Sequence, residues 1–319
     1  MQTSIVAGGA GFIGTHLCQS LLQNRHKVIC IDNFLTSSEE NIVSFEENPN
    51  FTFIKHDITK PLDLNQKIDE IYHLASAASP NHHSRISYHA LPLETMLANT
   101  TGTFLLLELA ERNKAKFLFA SSSEVYGDPL IHPQKEEYRG NTSTTGPRSV
   151  YDESKRFGET ITAYFAREKD VDTRIARIFN TYGPKMMKED MRMTITFITQ
   201  ALEGKPITIF GNGKQTRSLC FVDDLVEGLT KLMEVPEAKG EIVNLGSTDE
   251  HTVLEYGEIV KRLTNSLSEI IFSEKLPQDD PVKRKPDIDK AKMLLSWEPK
   301  VTLEEGLRKT IEYIKRTND

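Results

Sequence analysis

The stretch Val6–Leu17, VAGGAGFIGTHL, spaces Gly8, Gly11 and Gly14 three apart between an apolar run and an amphipathic one. Glycine weakens strands and helices alike, because its backbone has the most freedom to lose. Three glycines at a predicted strand–helix junction therefore point to something that must come close to the main chain. In that context Gly8 permits a tight turn, Gly11 lets a diphosphate reach the backbone, and Gly14 lets the helix pack closely. The phosphates would lie at a helix N-terminus, where free N–H groups and the dipole favour anions. Taken alone, the triplet also fits a bare strand–helix turn. The next predicted strand, KVICID, ends in Asp32, 18 residues past Gly14. An acid there accepts hydrogen bonds from an adenosine ribose. The two signals together point to a dinucleotide. Asp32 would repel a phosphate on that ribose, and Asn33 follows it with no arginine to pair with one, so NAD is expected rather than NADP.

Working outward, SIVAG, KVICID, FTFIKHD, EIYHLAS, KFLFASS and TRIARIF read as strands, with helical patterns near 12–24, 91–113 and 149–169. Strands alternating with helices imply an α/β fold with a doubly wound parallel sheet, the Rossmann arrangement. The pattern changes after Asn180. Helices are predicted near 192–203 and 223–234, and EIVNLGS reads as a buried strand returning to the first sheet. The expected organisation is a dinucleotide domain over 1–180, joined by 218–246, and a smaller interleaved α/β substrate lobe from 181–217 and 247–319.

Composition narrows the partners. The chain has 319 residues, with 46 acidic and 39 basic side chains and a net charge of -7. That balance argues against nucleic acid and anionic membranes. No apolar run approaches the roughly 18 residues of a membrane helix. Cys18, Cys30 and Cys220 lack any metal-binding spacing and read as buried thiols in a reducing compartment, so a cytoplasmic protein is expected. His82 and His83 have no acid or cysteine beside them in the sequence, and no metal site is expected there.

YDESK places Tyr151 and Lys155 at i and i+4, on one face of a predicted helix. A free tyrosine has a pKa of about 10, and a neighbouring ammonium makes it a better base. Alone, this spacing is also what a surface pair would show. SSSEVYG, at the end of a predicted parallel strand, adds Ser122 as a hydrogen-bond partner for the same substrate hydroxyl, and Glu124 where ligand crevices form.

Together GGAGFIG, SSSEVYG, YDESK and IFNTYGP resemble the extended short-chain dehydrogenases/reductases that act on nucleotide sugars. Within that group RIFNTYGP, GNGKQTRS, RKPDI and WEP make the chain most similar to UDP-glucuronate decarboxylases. The resemblance covers nearly the whole chain. It implies that Tyr151, Lys155 and Ser122 handle the C4 hydroxyl of a UDP-sugar, with Glu124 and Arg284 serving the chemistry at C5. It also implies a homodimer through the helices near 91–113 and 149–169. Around the cofactor it implies Phe12, Ile13, Asn33, Asp57, Ile58, Leu74, Ala75 and Asn99, besides Gly8, Gly11, Gly14, Asp32, Tyr151 and Lys155. Around the substrate it implies Ser76, Ser123, Asn180, Arg192, Gln215, Arg217 and Arg284, with Arg217 at the diphosphate.

The chemistry agrees with that assignment. Oxidation at C4 of a glucuronosyl ring makes a ketone β to the C5 carboxylate, and such an acid loses carbon dioxide readily. Reduction by the same cofactor leaves a pentose. Ser123 replaces the acid of sugar 4,6-dehydratases, and 4-epimerases lack Glu124, so both reactions are less expected. HLASAASP, the long NHHSRISYHALPL and EDMR, with Met191 in place of glycine, depart from the decarboxylase pattern. The long segment is expected to overhang the sugar. These departures keep open C4 oxidation of another UDP-sugar, such as a 6-deoxy 5,6-unsaturated UDP-N-acetylglucosamine. A non-catalytic NAD-binding protein would not need Ser122, Tyr151 and Lys155.

Overall fold

A computed structural model describes residues 1–318. Its first part runs β1 (Thr3–Ala7), α1 (Phe12–Gln23), β2 (Lys27–Asp32), β3 (Phe51–Lys55), β4 (Glu70–His73), α2 (Pro92–Leu97), α3 (Thr103–Asn113), β5 (Lys116–Ser122), α4 (Ser149–Lys169) and β6 (Thr173–Ile178). Then come β7 (Thr181–Tyr182), α5 (Met193–Leu202), β8 (Ile207–Ile209), β9 (Thr216–Ser218), β10 (Cys220–Phe221), α6 (Val222–Glu234) and β11 (Ile242–Leu245). The chain closes with β12 (Glu250–Thr252), α7 (Val253–Thr264), β13 (Ile270–Phe272), α8 (Asp289–Leu295) and α9 (Leu303–Asn318).

Seven strands form one parallel sheet in the order β11-β6-β5-β4-β1-β2-β3. Helices cover both faces, which is why its central strands read as unbroken apolar runs. Val6, Cys30, Leu118 and Val243 face one core, shared with α1 and α6. Ile5, Ile29, Phe117, Phe119 and Ile175 face the other, shared with α3 and α4. The chain winds outward from β1 through β2 to β3, then restarts at β4 on the other side of β1. The crevice at the carboxyl ends of β1 and β4 is the switch point where ligands bind in such sheets.

The pattern predicted over 91–113 is not one regular helix. α2 and α3 are joined by a widened π-type turn, Ala98–Gly102. Asn99 there is buried and donates to Ser154 Oγ on α4 at 3.0 Å, and a Cβ on Gly102 would lie 2.6 Å from Ile58. Close packing against both neighbours accounts for the distortion, a kind often found near functional sites. By contrast, α4 spans the predicted residues. The remaining strands form three two-stranded pairs, β10 with β7, β12 with β9 and β13 with β8. Trp297, ahead of α9, donates to the Asp224 carbonyl of α6 at 2.9 Å and seals that side. No helix among the described residues is long and apolar enough to cross a membrane.

Candidate active site

Gly8 sits at the switch point with φ +81°, a region costly for other residues, and a Cβ there would lie 2.7 Å from the Ala75 nitrogen beyond β4. A Cβ on Gly14 would meet the Gly8 carbonyl oxygen at 2.1 Å. These two glycines let strand, turn and helix pack on one another. Gly11 differs: its Cβ would meet only the Gly8 oxygen at 3.2 Å, and it lines the cavity. Gly11 is also the cap of α1 and offers no side chain, so the first-turn N–H groups are left for a ligand.

Asp32 ends β2 with its carboxylate pinned. It accepts from Ala10 N at 3.1 Å, Phe34 N at 2.9 Å and Ser37 Oγ at 2.8 Å. A cavity of about 160 Å³ lies against it, lined also by Asn33, Asp57, Ile58, Leu74 and Ala75. Asn99 lines neither this cavity nor the larger one. It lies beneath them, and its Oδ1 is buried without a partner.

The larger cavity, about 380 Å³, begins at Gly8, Gly11, Phe12, Ile13 and Gly14 and ends between the second-lobe loops. β5 delivers Ser122, Ser123 and Glu124 at its carboxyl end, and α4 delivers Tyr151 and Lys155 from its first turns. Ser76, Asn180, Arg192, Gln215, Arg217 and Arg284 complete the wall, so residues far apart in sequence meet in one space.

Burial dominates the electrostatics here. It pushes the Tyr151 phenol up to about 12, with the nearby Ser122 hydroxyl drawing it back. It pulls the Lys155 ammonium down to about 7, against the attraction of Glu159. Lys155 Nζ donates to the Ala120 carbonyl at 2.7 Å and lies 5.7 Å from the centre of the Tyr151 ring. Burial alone would raise Glu124, but two guanidinium groups outweigh it and hold the carboxyl at about 2. Arg284 grips both oxygens of Glu124 at 2.7 Å, and Arg148 donates to Oε2 at 2.6 Å.

Arg148 is not among the site residues expected from the sequence. Its fork also reaches Asp280 at 3.2 Å, and Asp280 accepts from Arg217 at 2.8 Å. Asp152, next to Tyr151, is pushed up to about 8 by burial and by the Glu124 charge. Tyr88 was missed as well. Its ring stacks on that of Tyr151 at 5.0 Å and 16°, and its hydroxyl is buried without a partner. Only the spacing of aromatic residues across separate segments could have signalled it, and sequence carries no such distance.

The long segment after β4 does overhang the cavity, through Asn81, His82 and Ile86. Ser79, just ahead of the segment, and Asn81 and Ser84 within it lace this stretch to the turn before α5. Ser79 donates to the Asp190 carbonyl at 2.6 Å, Asn81 to that of Met191 at 2.7 Å, and Ser84 to that of Glu189 at 2.5 Å. Met191 itself has φ +56°, so it bears in a left-handed position the side chain that a glycine would lack. The fold also supplies the acid that His82 and His83 lack in sequence, since both rings approach Glu274, at 3.5 and 3.0 Å.

The model of the NAD dependent epimerase/dehydratase family matches residues 4–246. The chain is 46% identical over 312 residues to UDP-glucuronic acid decarboxylase 1 of Xenopus tropicalis, covering 98% of this chain and 72% of that protein. It is 50% identical over 306 residues to UDP-glucuronic acid decarboxylase 4 of Arabidopsis thaliana, covering 95% of this chain and 66% of the other. Among solved structures, UDP-glucuronic acid 4-epimerase from Bacillus cereus, in complex with UDP-glucuronic acid and NAD, superposes with a TM-score of 0.86. It is 31% identical, and the match covers 99% of this chain and 100% of that one.

Proposed function

This chain belongs to the NAD dependent epimerase/dehydratase family, and from that premise we propose that it converts UDP-glucuronate to UDP-xylose and carbon dioxide. The observation that carries this reading is the Arg284–Glu124 pair in the same cavity as Ser122, Tyr151 and Lys155. The cavity joins a hydroxyl-oxidising group to a carboxylate-directed one.

The glycine cradle and the pinned Asp32 fit NAD: the close approaches at Gly8 and Gly14 leave Gly11 and the capless start of α1 facing the cavity. When bound, NAD takes the hydrogen of C4 as hydride and returns it at the end. Burial raises the Tyr151 phenol, contrary to the expectation from its spacing to Lys155 alone, so Tyr151 would take the O4 proton with the positive charge of the oxidised cofactor beside it, helped by the Ser122 hydroxyl and the Lys155 ammonium. The C4 ketone then lies β to the carboxylate; as the C5–carboxylate bond breaks its electron pair moves into the carbonyl, and the resulting enolate takes up a proton at C5 from solvent, which restores the ketone that the hydride then reduces. The Tyr151 and Ser122 hydroxyls donate to the oxygen where that charge develops. Arg284, whose two terminal nitrogens hold Glu124, would orient the departing carboxylate through its charge and its remaining N–H groups. Arg217 serves the diphosphate.

The active unit in this reading is a homodimer. Leu93, Met96, Leu97, Phe104, Phe157 and Tyr164 are exposed apolar side chains on α2, α3 and α4, and a second copy would cover them. A cytoplasmic setting fits Cys18, Cys30 and Cys220, which are free and buried. The deciding experiment follows labelled carbon dioxide from carboxyl-labelled UDP-glucuronate while NADH absorbance is recorded. Stoichiometric release without net NADH is expected. NADH that accumulates only with another UDP-sugar, and no release from UDP-glucuronate, would overturn the reading.

A further inference from the structure

The charges at the sugar end form an alternating chain. Arg284 grips Glu124, Arg148 donates to Glu124 and to Asp280, and Asp280 accepts from Arg217. The signs run plus, minus, plus, minus, plus. One end is the cation proposed for the sugar carboxylate, and the other is the cation proposed for the diphosphate. Arg148 occupies the middle, only 3% exposed, immediately before the helix that carries Tyr151 and Lys155.

We infer that Arg148 is a positioning residue that couples the two anion-binding ends of the cavity and favours UDP-sugars bearing a carboxylate over neutral ones. The inference rests on the function proposed above and deepens it. Arg148 shares the charge of each carboxylate it touches. Asp280 therefore neutralises Arg217 only in part, and Glu124 neutralises Arg284 only in part, leaving each outer arginine able to accept a substrate anion. In a buried setting these couplings are screened far less than at a surface. The geometry needs a planar fork to serve two carboxylates at once, which a lysine cannot provide. The Tyr88 ring lies against the Arg148 guanidinium, with 5.8 Å between the guanidinium carbon and the ring centre. Burial and the Glu124 charge push Asp152, the remaining acid near Glu124, toward its protonated form.

The test uses the full NAD-loaded chain and UDP alone, measured by calorimetry. Arg148→Gln should weaken UDP binding about tenfold, a usual size for coupling between sites, because Asp280 then bears fully on Arg217. Arg148→Gln combined with Asp280→Asn should restore UDP binding to near the original affinity, a rescue that a merely structural role does not give. The ratio of binding affinities for UDP-glucuronate and UDP-glucose should also fall in Arg148→Gln, and the acid limb of the pH profile for UDP-glucuronate turnover should move up as Glu124 loses one of its two cations. Arg148→Lys keeps the charge and tests the fork, should the glutamine variant not fold. It should weaken UDP binding by part of that factor, between the original protein and the glutamine variant, because the charge stays while the fork to both carboxylates is lost. Unchanged UDP affinity in either variant, or no rescue by Asp280→Asn, overturns the inference. UDP binding needs no turnover, so absent carbon dioxide release from the unmodified protein counts against the function and not against this coupling.

Discussion

From Gly8 to Asp32 the wall of the two adjoining cavities is one continuous turn, helix and strand, whereas the far end is made by side chains 124, 148, 217, 280 and 284 from segments separate in sequence. The near end works by steric exclusion and backbone donors: a Cβ on Gly14 has nowhere to go. The far end works by balanced buried charge. A wall built from local chain binds a cofactor common to a whole family, while one assembled from distant loops can be re-specified for a particular sugar without disturbing the cradle. Substitutions at the two ends should therefore separate cofactor binding from sugar chemistry.

The largest effect is expected at Tyr151. Tyr151→Phe should lower kcat by about 10²–10⁴-fold, the usual contribution of a general base, with NAD affinity unchanged. Loss of NAD binding in this variant would erase the division between the two ends. Arg284→Ala should lower turnover of UDP-glucuronate by roughly 10²-fold, as for one charge-assisted contact. It should alter the affinity for UDP-glucose far less, as read by competition binding; equal losses for both sugars would assign Arg284 to the nucleotide instead.

At the cradle, Gly14→Ala should shift the turn and cost about 1–3 kcal/mol of stability by overpacking, seen as a lower Tm together with weaker NAD binding. An alanine variant with full NAD affinity would show that the close approach to Gly8 is dispensable. Asp32→Ala should narrow the preference for NAD over NADP by about tenfold, since it removes one like charge; direct titration with both dinucleotides measures it. The smallest effect at neutral pH is the far end's acid sensitivity. The folded-state pKa of Glu124 is depressed to about 2, so the stability it contributes is present above the ordinary carboxylate pKa of about 4.3. That contribution is lost as pH falls from there toward about 2. Acid-induced unfolding followed by circular dichroism should therefore lose its dependence on Glu124 in a Glu124→Gln variant, measured between those two values.

The cradle was legible because its constraints are local. A glycine at every third position, an acid at the end of the next strand and a Tyr–Lys pair one helical turn apart are all distances along the chain. The same holds for α4 and for the six strands read from their apolar runs. The interruption between α2 and α3 was not legible, because it depends on Gly102 meeting Ile58 and Asn99 meeting Ser154 across the fold.

The sequence by itself determined the doubly wound sheet, the glycine turn with Asp32 at the end of the next strand, and the Tyr151–Lys155 pair on one helix, since strand, turn and helix fix those within a few residues of one another. Only the tertiary structure decided what Arg284 meets, and that Arg148 and Asp280 join it to Arg217. It also brought Tyr88 onto Tyr151 and Glu274 to His82 and His83. The physical reason is range. Backbone preferences act between neighbours in sequence, whereas charge pairing and ring stacking act between whichever side chains the crossovers of the sheet bring within a few ångströms.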